Sequence, residues 1–165
     1  MRLLHAVALF TALCTTLPSC AVNPKFDVAG IDPSLTPHVA SEQAATALGT
    51  RILWAGVIVN SVNLAQATQL EVLSYPLNKQ QKPEVTEPPT GRFLIYQSGY
   101  LETGEYRKDR WVTVIGKIER STSGRVGDFS YTYPVVTPED IFLWPEGGGD
   151  NKVHFGIGVG IGITR

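Results

Sequence analysis

Two glycines lie in the middle of segments that otherwise strongly favour β-strand. Gly56 interrupts "RILWAGVIVNSV" and Gly116 interrupts "RWVTVIGKIER", both of which are rich in β-branched and aromatic residues. A glycine inside a strand costs stability unless the strand bends sharply or another backbone comes close. Two such glycines favour a small sheet that coils and closes on itself. This restricts the fold more than any other feature of the chain.

Three further segments have the alternation of strands, which brings the predicted number to five. The three are "TQLEVLSYPL", "RFLIYQSGYL" and "YTYPVVTPEDIFLW". The polar segments "NKQQKPEVTEPPTG", "ETGEYRKD" and "STSGRVGD" are predicted to be loops. We therefore expect a mainly β fold, a small OB-like Greek-key barrel, with a β-sandwich as the competing architecture.

One short N-terminal helix is predicted ahead of the first strand. In "TPHVASEQAATALG" Thr36 or Ser41 is suited to cap the helix, the alanines favour it, and Gly49 is suited to end it. We expect one to three turns.

The C-terminal segment 146–165 is predicted to form a glycine-rich strand. From Phe155 to Ile163 it alternates aliphatic residues with glycine, so one face of the strand has no side chains. Three interpretations stay open: packing on the protein's own barrel, self-association or membrane contact through an exposed strand edge, and a disordered tail.

The N-terminus has the features of an export signal. The apolar run "LLHAVALFTALC" follows Arg2 and is too short to span a bilayer. It leads to Leu17-Pro18-Ser19-Cys20, which resembles a bacterial lipobox, although Ala, Ser or Thr is commoner than proline at position 18. We expect residues 1–19 to be a lipoprotein signal peptide and Cys20 to carry the lipid, including palmitate. The alternative is an ordinary secretory signal followed by an incidental cysteine.

The cysteine count supports lipidation. The chain has two cysteines, Cys14 and Cys20, and the first would leave with the signal. An unmodified Cys20 would then be a lone thiol in an oxidising compartment. Acylation removes that thiol and attaches the chain to a membrane through two or more acyl chains. We expect residues 20–37 to be a lipidated tether and residues 38–165 to form a single barrel domain.

The charge balance excludes nucleic acid as a partner. The whole chain has 14 Lys and Arg residues against 15 Asp and Glu residues, and of these only Arg2 would be removed with the signal. A nucleic-acid-binding domain of this size is expected to be clearly basic.

No catalytic pattern is present in the sequence, and we predict that the protein is not an enzyme. Metal-binding, phosphate-binding and nucleophile motifs are missing, and His38 and His154 are the only histidines after the signal. Glu139 and Asp140 are adjacent in a predicted strand, where neighbouring side chains point to opposite faces. We expect no metal and no cofactor other than the covalent lipid on Cys20.

Four aromatic residues are weak candidates for ligand binding. Trp54, Tyr100, Tyr106 and Trp111 would form a platform for a glycan or a peptide if they lay on one face of the barrel. The alternative is that they are core residues, since aromatics that alternate with valine and isoleucine are usually buried.

Three segments together resemble the Slp family of Gram-negative outer-membrane lipoproteins: "AGVIVNSVN", "TQLEVLSYPLNKQQKP" and "GRFLIYQSGYLETGEYRKDRWVTVIGKIER". The resemblance covers roughly residues 49–144 and follows a lipobox, as in that family. It implies an OB-like β fold, no established catalysis, and in some members an association with starvation or stationary-phase stress.

The resemblance implies a noncatalytic lipoprotein that supports the cell envelope from the periplasmic face of the outer membrane. Ala21 agrees with outer-membrane sorting, because an aspartate directly after the lipidated cysteine favours the inner membrane. The expected partners are the membrane, through the lipid, and either another envelope protein or a second copy through the C-terminal strand. The alternative function is a periplasmic ligand-binding module for glycan or peptide.

Overall fold

The computed structural model describes residues 24–146, which form two short helices followed by five strands. The elements in chain order are α1 (Pro37–Glu42), α2 (Ala44–Ala47), β1 (Arg51–Asn63), β2 (Ala67–Tyr75), β3 (Gly91–Ser98), β4 (Trp111–Val126) and β5 (Phe129–Leu143). The signal sequence, Cys20 and the glycine-rich C-terminal strand predicted above lie outside the described residues.

The five strands close into a barrel in the order β1-β2-β3-β5-β4, with β4 paired back to β1. All neighbours are antiparallel except β3 and β5, which run parallel where Leu94 meets Val135. This is the five-stranded Greek-key arrangement of an OB-type barrel. The mainly β barrel expected from the sequence is confirmed, and the sandwich is not formed.

The two strand glycines lie where neighbouring backbones come closest. A Cβ atom on Gly56 would lie within 3.0 Å of the Leu73 carbonyl oxygen, and one on Gly116 would be equally close to that of Thr137. The ladder between β4 and β5 shifts register between Ile115 and Gly116, as expected of a bulge that bends a strand. The prediction that these glycines permit a closed sheet is therefore confirmed.

The barrel interior holds one main hydrophobic core. Its fully buried members come from every strand and include Ile58, Leu70, Phe93, Val114 and Val136. In β1 both faces are buried from Ile52 to Gly56, as its apolar pattern predicts.

The predicted helix is present but is broken into two. The Thr36 side chain accepts a hydrogen bond of 3.3 Å from the Val39 amide and caps α1, and Gln43 leaves helical geometry before α2 begins. Ala40 and Ala47 are buried in the main core, so the helix pair covers part of the barrel interior. Neither described helix is long and apolar enough to cross a membrane.

The last two strands are longer than the sequence predicts. The segment "STSGRVGD" was expected to be a loop, but β4 continues to Val126 and β5 starts at Phe129, leaving only Gly127 and Asp128 as the turn. The two strands pair with each other throughout this extension, which satisfies the backbone of a polar segment.

Candidate functional site

The N-terminal segment is attached to the barrel soon after the predicted lipidation site. The Phe26 amide donates a hydrogen bond of 2.7 Å to Oε1 of Gln81, and Nε2 of Gln81 donates one of 3.0 Å to the Phe26 carbonyl. We call this pair of hydrogen bonds the clasp. Because one side chain satisfies both backbone groups of Phe26, the clasp fixes the position of the chain at that residue.

Gln81 is presented by a tight turn, residues 76–84, which we call the Gln81 turn. Leu77 and Pro83 form an isolated bridge, and Oδ1 of Asn78 accepts hydrogen bonds from the amides of Gln80 and Lys82. Gln81 itself has a φ of 61°, in the left-handed region that few residues other than glycine and asparagine adopt. The turn is therefore held in shape by its own hydrogen bonds.

The Gln81 turn is hydrogen-bonded to β4 of the barrel. The Gln81 carbonyl accepts a hydrogen bond of 2.7 Å from the Thr113 hydroxyl, and that hydroxyl accepts one of 2.9 Å from Nε1 of Trp144. The ammonium of Lys82 lies 5.0 Å from the ring centre of Trp111, within the range of a cation–π interaction. A continuous set of contacts thus leads from the N-terminal segment to β4.

A second contact holds the N-terminal segment a few residues further on. Nη1 of Arg51 lies 3.3 Å from the Asp27 carbonyl and 3.5 Å from that of Ala29, and donates to both. Nε of the same guanidinium pairs with Glu139 at 2.9 Å. Part of the segment expected to be a tether is thus bonded to the barrel at Gln81 and at Arg51.

The four candidate aromatics do not form one platform. Trp54 is only 6% exposed and belongs to the main core. Its ring contacts Phe93 with 5.1 Å between centres, and its Nε1 donates to the Leu35 carbonyl at 2.7 Å. Trp111 alternates along β4 with Val112 and Val114 of that core, so it lies on the outer face of the sheet, opposite to Trp54.

The other two candidates lie in the segment between β3 and β4. Tyr100 is 69% exposed, and its hydroxyl donates to Glu102 at 3.0 Å, which raises the pKa of the phenol. Tyr106 packs against the main core, and burial raises its pKa, with the charge of Glu105 acting in the same direction. Tyr100 alone of the four is exposed enough to offer most of its ring to a ligand.

Sequence reasoning missed a surface groove between the start of β3 and the β4–β5 hairpin. It has a volume of about 610 Å³, and its apolar wall includes Leu73, Pro89, Val126, Phe129 and Tyr131. The ring of Phe129 is 80% exposed. The available signal was a phenylalanine directly after the Gly-Asp turn in "RVGDFSY", a position where an apolar side chain has no core to enter.

The positive charge of Arg92, which lines the groove, is balanced by a neighbouring carboxylate. Arg92 pairs with Glu71 at 2.7 Å, and Glu71 also accepts a hydrogen bond of 3.1 Å from Tyr133. Burial and the adjacent Glu71 carboxylate raise the pKa of Tyr133 to about 12. Because the Arg92 charge is balanced, the groove is better suited to a neutral ligand than to an anion.

The two adjacent carboxylates of β5 are engaged within the fold. Glu139 is held by Arg51, and Asp140 accepts a hydrogen bond of 2.8 Å from the amide of Ile141. His154 lies outside the described residues. Within residues 24–146 no three His, Cys, Asp or Glu side chains gather in a group that could hold a metal ion.

Comparison with known proteins gives a consistent set of relatives. A family model described as "Outer membrane lipoprotein Slp family" matches residues 17–156, which include Cys20 and all five strands. No solved structure is significantly similar to the chain.

Three relatives cover most of the chain. An uncharacterized protein of Haemophilus influenzae is 35% identical over 82% of this chain and 74% of its own length. The outer membrane protein Slp of Escherichia coli is 27% identical over 83% of this chain and 73% of its own. The uncharacterized lipoprotein YeaY of Escherichia coli is 27% identical over 83% of this chain and 68% of its own.

Proposed function

Because this chain belongs to the Slp family of outer membrane lipoproteins, we propose that it is a noncatalytic barrel, held at the periplasmic face of the outer membrane by lipid on Cys20. In that position it supports the cell envelope under starvation or stationary-phase stress. The observation that carries the proposal is the extent of the family match, which starts at Leu17. The lipobox residues therefore lie inside the matched region together with the barrel.

Lipid on Cys20 gives stable membrane attachment to a chain of this kind. Each buried methylene contributes about 0.8 kcal/mol, and stable attachment needs more than one acyl chain. We expect the thioether-linked diacylglycerol and an N-linked acyl chain to supply this.

The chain offers a matched pair of cysteines to test the anchor. Cys20→Ser should give no lipid-labelled protein and should accumulate uncleaved precursor, whereas Cys14→Ser should be labelled and processed like the wild type. The measurements are metabolic labelling with a radioactive fatty acid, intact-mass analysis and separation of inner and outer membranes. Normal processing of Cys20→Ser, or a mature protein without acyl chains, would rule the anchor out.

A noncatalytic role is supported by the hydrogen bonds that polar side chains of the barrel make. Glu139 is paired with Arg51, and the Thr113 hydroxyl both donates to Gln81 and accepts from Trp144. A hydroxyl engaged in two structural hydrogen bonds is poorly placed to act as a nucleophile.

The envelope role is tested in cells that lack the protein. Such cells should admit more detergent or large antibiotic than wild-type cells do, and the difference should be larger in stationary phase than during growth. Wild-type protein should reverse the defect, and unlipidated Cys20→Ser protein should not. Unchanged permeability in both growth phases would reject the envelope role, whatever the lipidation state of Cys20.

The groove beside Phe129 favours a second candidate function, the binding of a neutral glycan or a peptide. Exposed aromatic rings contribute contact area to such ligands. Titration with panels of oligosaccharides and peptides, followed by NMR or calorimetry, tests this. If the groove is the site, Phe129→Ala should weaken binding at least tenfold, and Tyr100→Ala, an exposed aromatic outside the groove, should leave it unchanged. Equal effects of the two variants would exclude the groove.

A further inference from the structure

The clasp limits how far the barrel can move from the lipid. Phe26 is six residues after Cys20, and an extended chain spans at most about 3.6 Å per residue, so these two residues lie within about 22 Å of each other. A free tether over residues 20–37 would instead reach about 60 Å. With the clasp closed, the surface around Phe26 and the Gln81 turn is kept close to the bilayer.

The surface around the clasp carries exposed cations. Lys25 precedes Phe26 and Lys79 lies in the Gln81 turn, and both are exposed. The nearby carboxylates are Asp27, which accepts a hydrogen bond of 3.0 Å from the Ala29 amide, Glu84, which accepts one of 2.8 Å from the Thr86 hydroxyl, and Glu139, which pairs with Arg51. Lysines next to a membrane surface are attracted to its anionic headgroups.

We propose that the clasp orients the barrel on the outer membrane, with the Gln81 turn facing the bilayer and Lys25 and Lys79 in contact with phospholipid headgroups. The partner is the lipid surface that carries the anchor. This inference depends on lipidation of Cys20, and it adds which face of the barrel meets the membrane.

The end of β3 gives a reference position for the test. The Gln81 turn lies between the end of β2 and the start of β3 at Gly91, and Ser98 is the last residue of β3. At about 3.3 Å per residue Ser98 lies up to about 23 Å from Gly91 along the strand. Gln80 and Ser98 are both exposed, so each can carry a label.

The experiment uses the full lipidated protein in vesicles of phosphatidylethanolamine and phosphatidylglycerol that contain nitroxide-labelled headgroups. Gln80→Cys and Ser98→Cys each provide the free thiol for a fluorophore, since acylation occupies Cys20. We expect quenching at position 80 to exceed that at position 98 at least threefold. Equal quenching, or stronger quenching at position 98, would overturn the proposed orientation.

The role of the clasp itself is tested by shortening one side chain. Gln81→Asn tolerates the positive φ of the turn but is one methylene too short to bond both backbone groups of Phe26. It should lower the quenching ratio, and together with Arg51→Gln, which removes the second contact at Asp27 and Ala29, it should bring the ratio close to one. The matched variant Gln66→Asn, on an exposed loop, should not change the ratio. An unchanged ratio in the protein with both Gln81→Asn and Arg51→Gln would show that these contacts do not orient the barrel.

Two further measurements show which part of the proposal is wrong if the expected quenching is not observed. The combined change Lys25→Gln and Lys79→Gln should lower the ratio at low salt, and no change would exclude headgroup contact by these lysines. Intact mass is measured on every sample. Missing acyl chains would overturn the anchor and with it this orientation, whereas equal quenching of acylated protein would overturn the orientation alone.

Discussion

The indole of Trp144 donates a buried hydrogen bond of 2.9 Å to the hydroxyl of Thr113. This bond joins the residue that follows β5 to the start of β4. The same hydroxyl donates to the Gln81 carbonyl, so one fully buried threonine connects the barrel to the turn that holds the N-terminal segment.

Thr113→Val should destabilise the protein by about 2 kcal/mol, because it preserves shape but leaves the Trp144 indole and the Gln81 carbonyl without their partner. Denaturant unfolding of the purified protein measures the loss. Thr86→Val is the matched control: Thr86 is exposed and its hydroxyl donates to the side chain of Glu84 on the surface, so we expect a change within about 0.5 kcal/mol. Equal stability of the two variants would contradict a structural role for the Thr113 hydroxyl.

Gly56→Ala and Gly116→Ala should each destabilise the barrel by about 2 to 3 kcal/mol or prevent folding, because the new Cβ would overlap a neighbouring backbone carbonyl. Gly104→Ala is the control, since its Cβ would have ordinary contacts, the nearest being 3.6 Å from Glu102 Oε1. Thermal unfolding compares the three variants. A well-folded Gly56→Ala protein with unchanged stability would disprove the close approach.

The strands were predictable because each is a local pattern. The β-branched alternation of β1 and the position of Gly56 are visible within a dozen residues, and they already favour a closed sheet. The extension of β4 through "STSGRV" was not predictable, since these polar residues become strand only by pairing with β5. The break at Gln43 between the helices was also missed, because "SEQAATA" has no helix breaker.

The site was less accessible to sequence reasoning. The clasp joins the backbone of Phe26 to the side chain of Gln81, 55 residues further along the chain. No local sequence pattern predicts such a bond. The four aromatic candidates do not form one surface, and Trp54 and Trp111 lie on opposite faces of the sheet. Alternation predicts which residues share a face only within one strand. Trp54 and Trp111 are in different strands, so their relative faces depend on the register between β1 and β4, which the sequence does not show.

Phe93→Ala should destabilise the protein by about 3 to 5 kcal/mol, whereas Phe129→Ala should change its stability by less than about 0.5 kcal/mol. Phe93 is fully buried against Trp54, and most of the Phe129 ring is exposed. Denaturant unfolding separates the two. A large loss of stability in Phe129→Ala would mean that its ring is part of the fold and would argue against a ligand role for it.

Tyr133 should make stability fall at high pH. Burial, with the Glu71 carboxylate beside the phenol, raises its pKa from the ordinary value of 10.0 to about 12. The folded protein therefore holds this proton more tightly than the unfolded chain. The contribution is fully present below about pH 10 and is lost as the pH rises through about 12.

Tyr133→Phe should remove this part of the pH dependence, and the conservative control Tyr75→Phe should retain it. Unfolding free energies measured from neutral pH to pH 12, together with ultraviolet titration of tyrosinate, test the prediction. Because the phenol of Tyr133 donates to Glu71, its loss should also lower stability slightly at neutral pH, where the wild-type hydrogen bond is intact. If the alkaline loss were identical in wild type and Tyr133→Phe, another group would have to be its source.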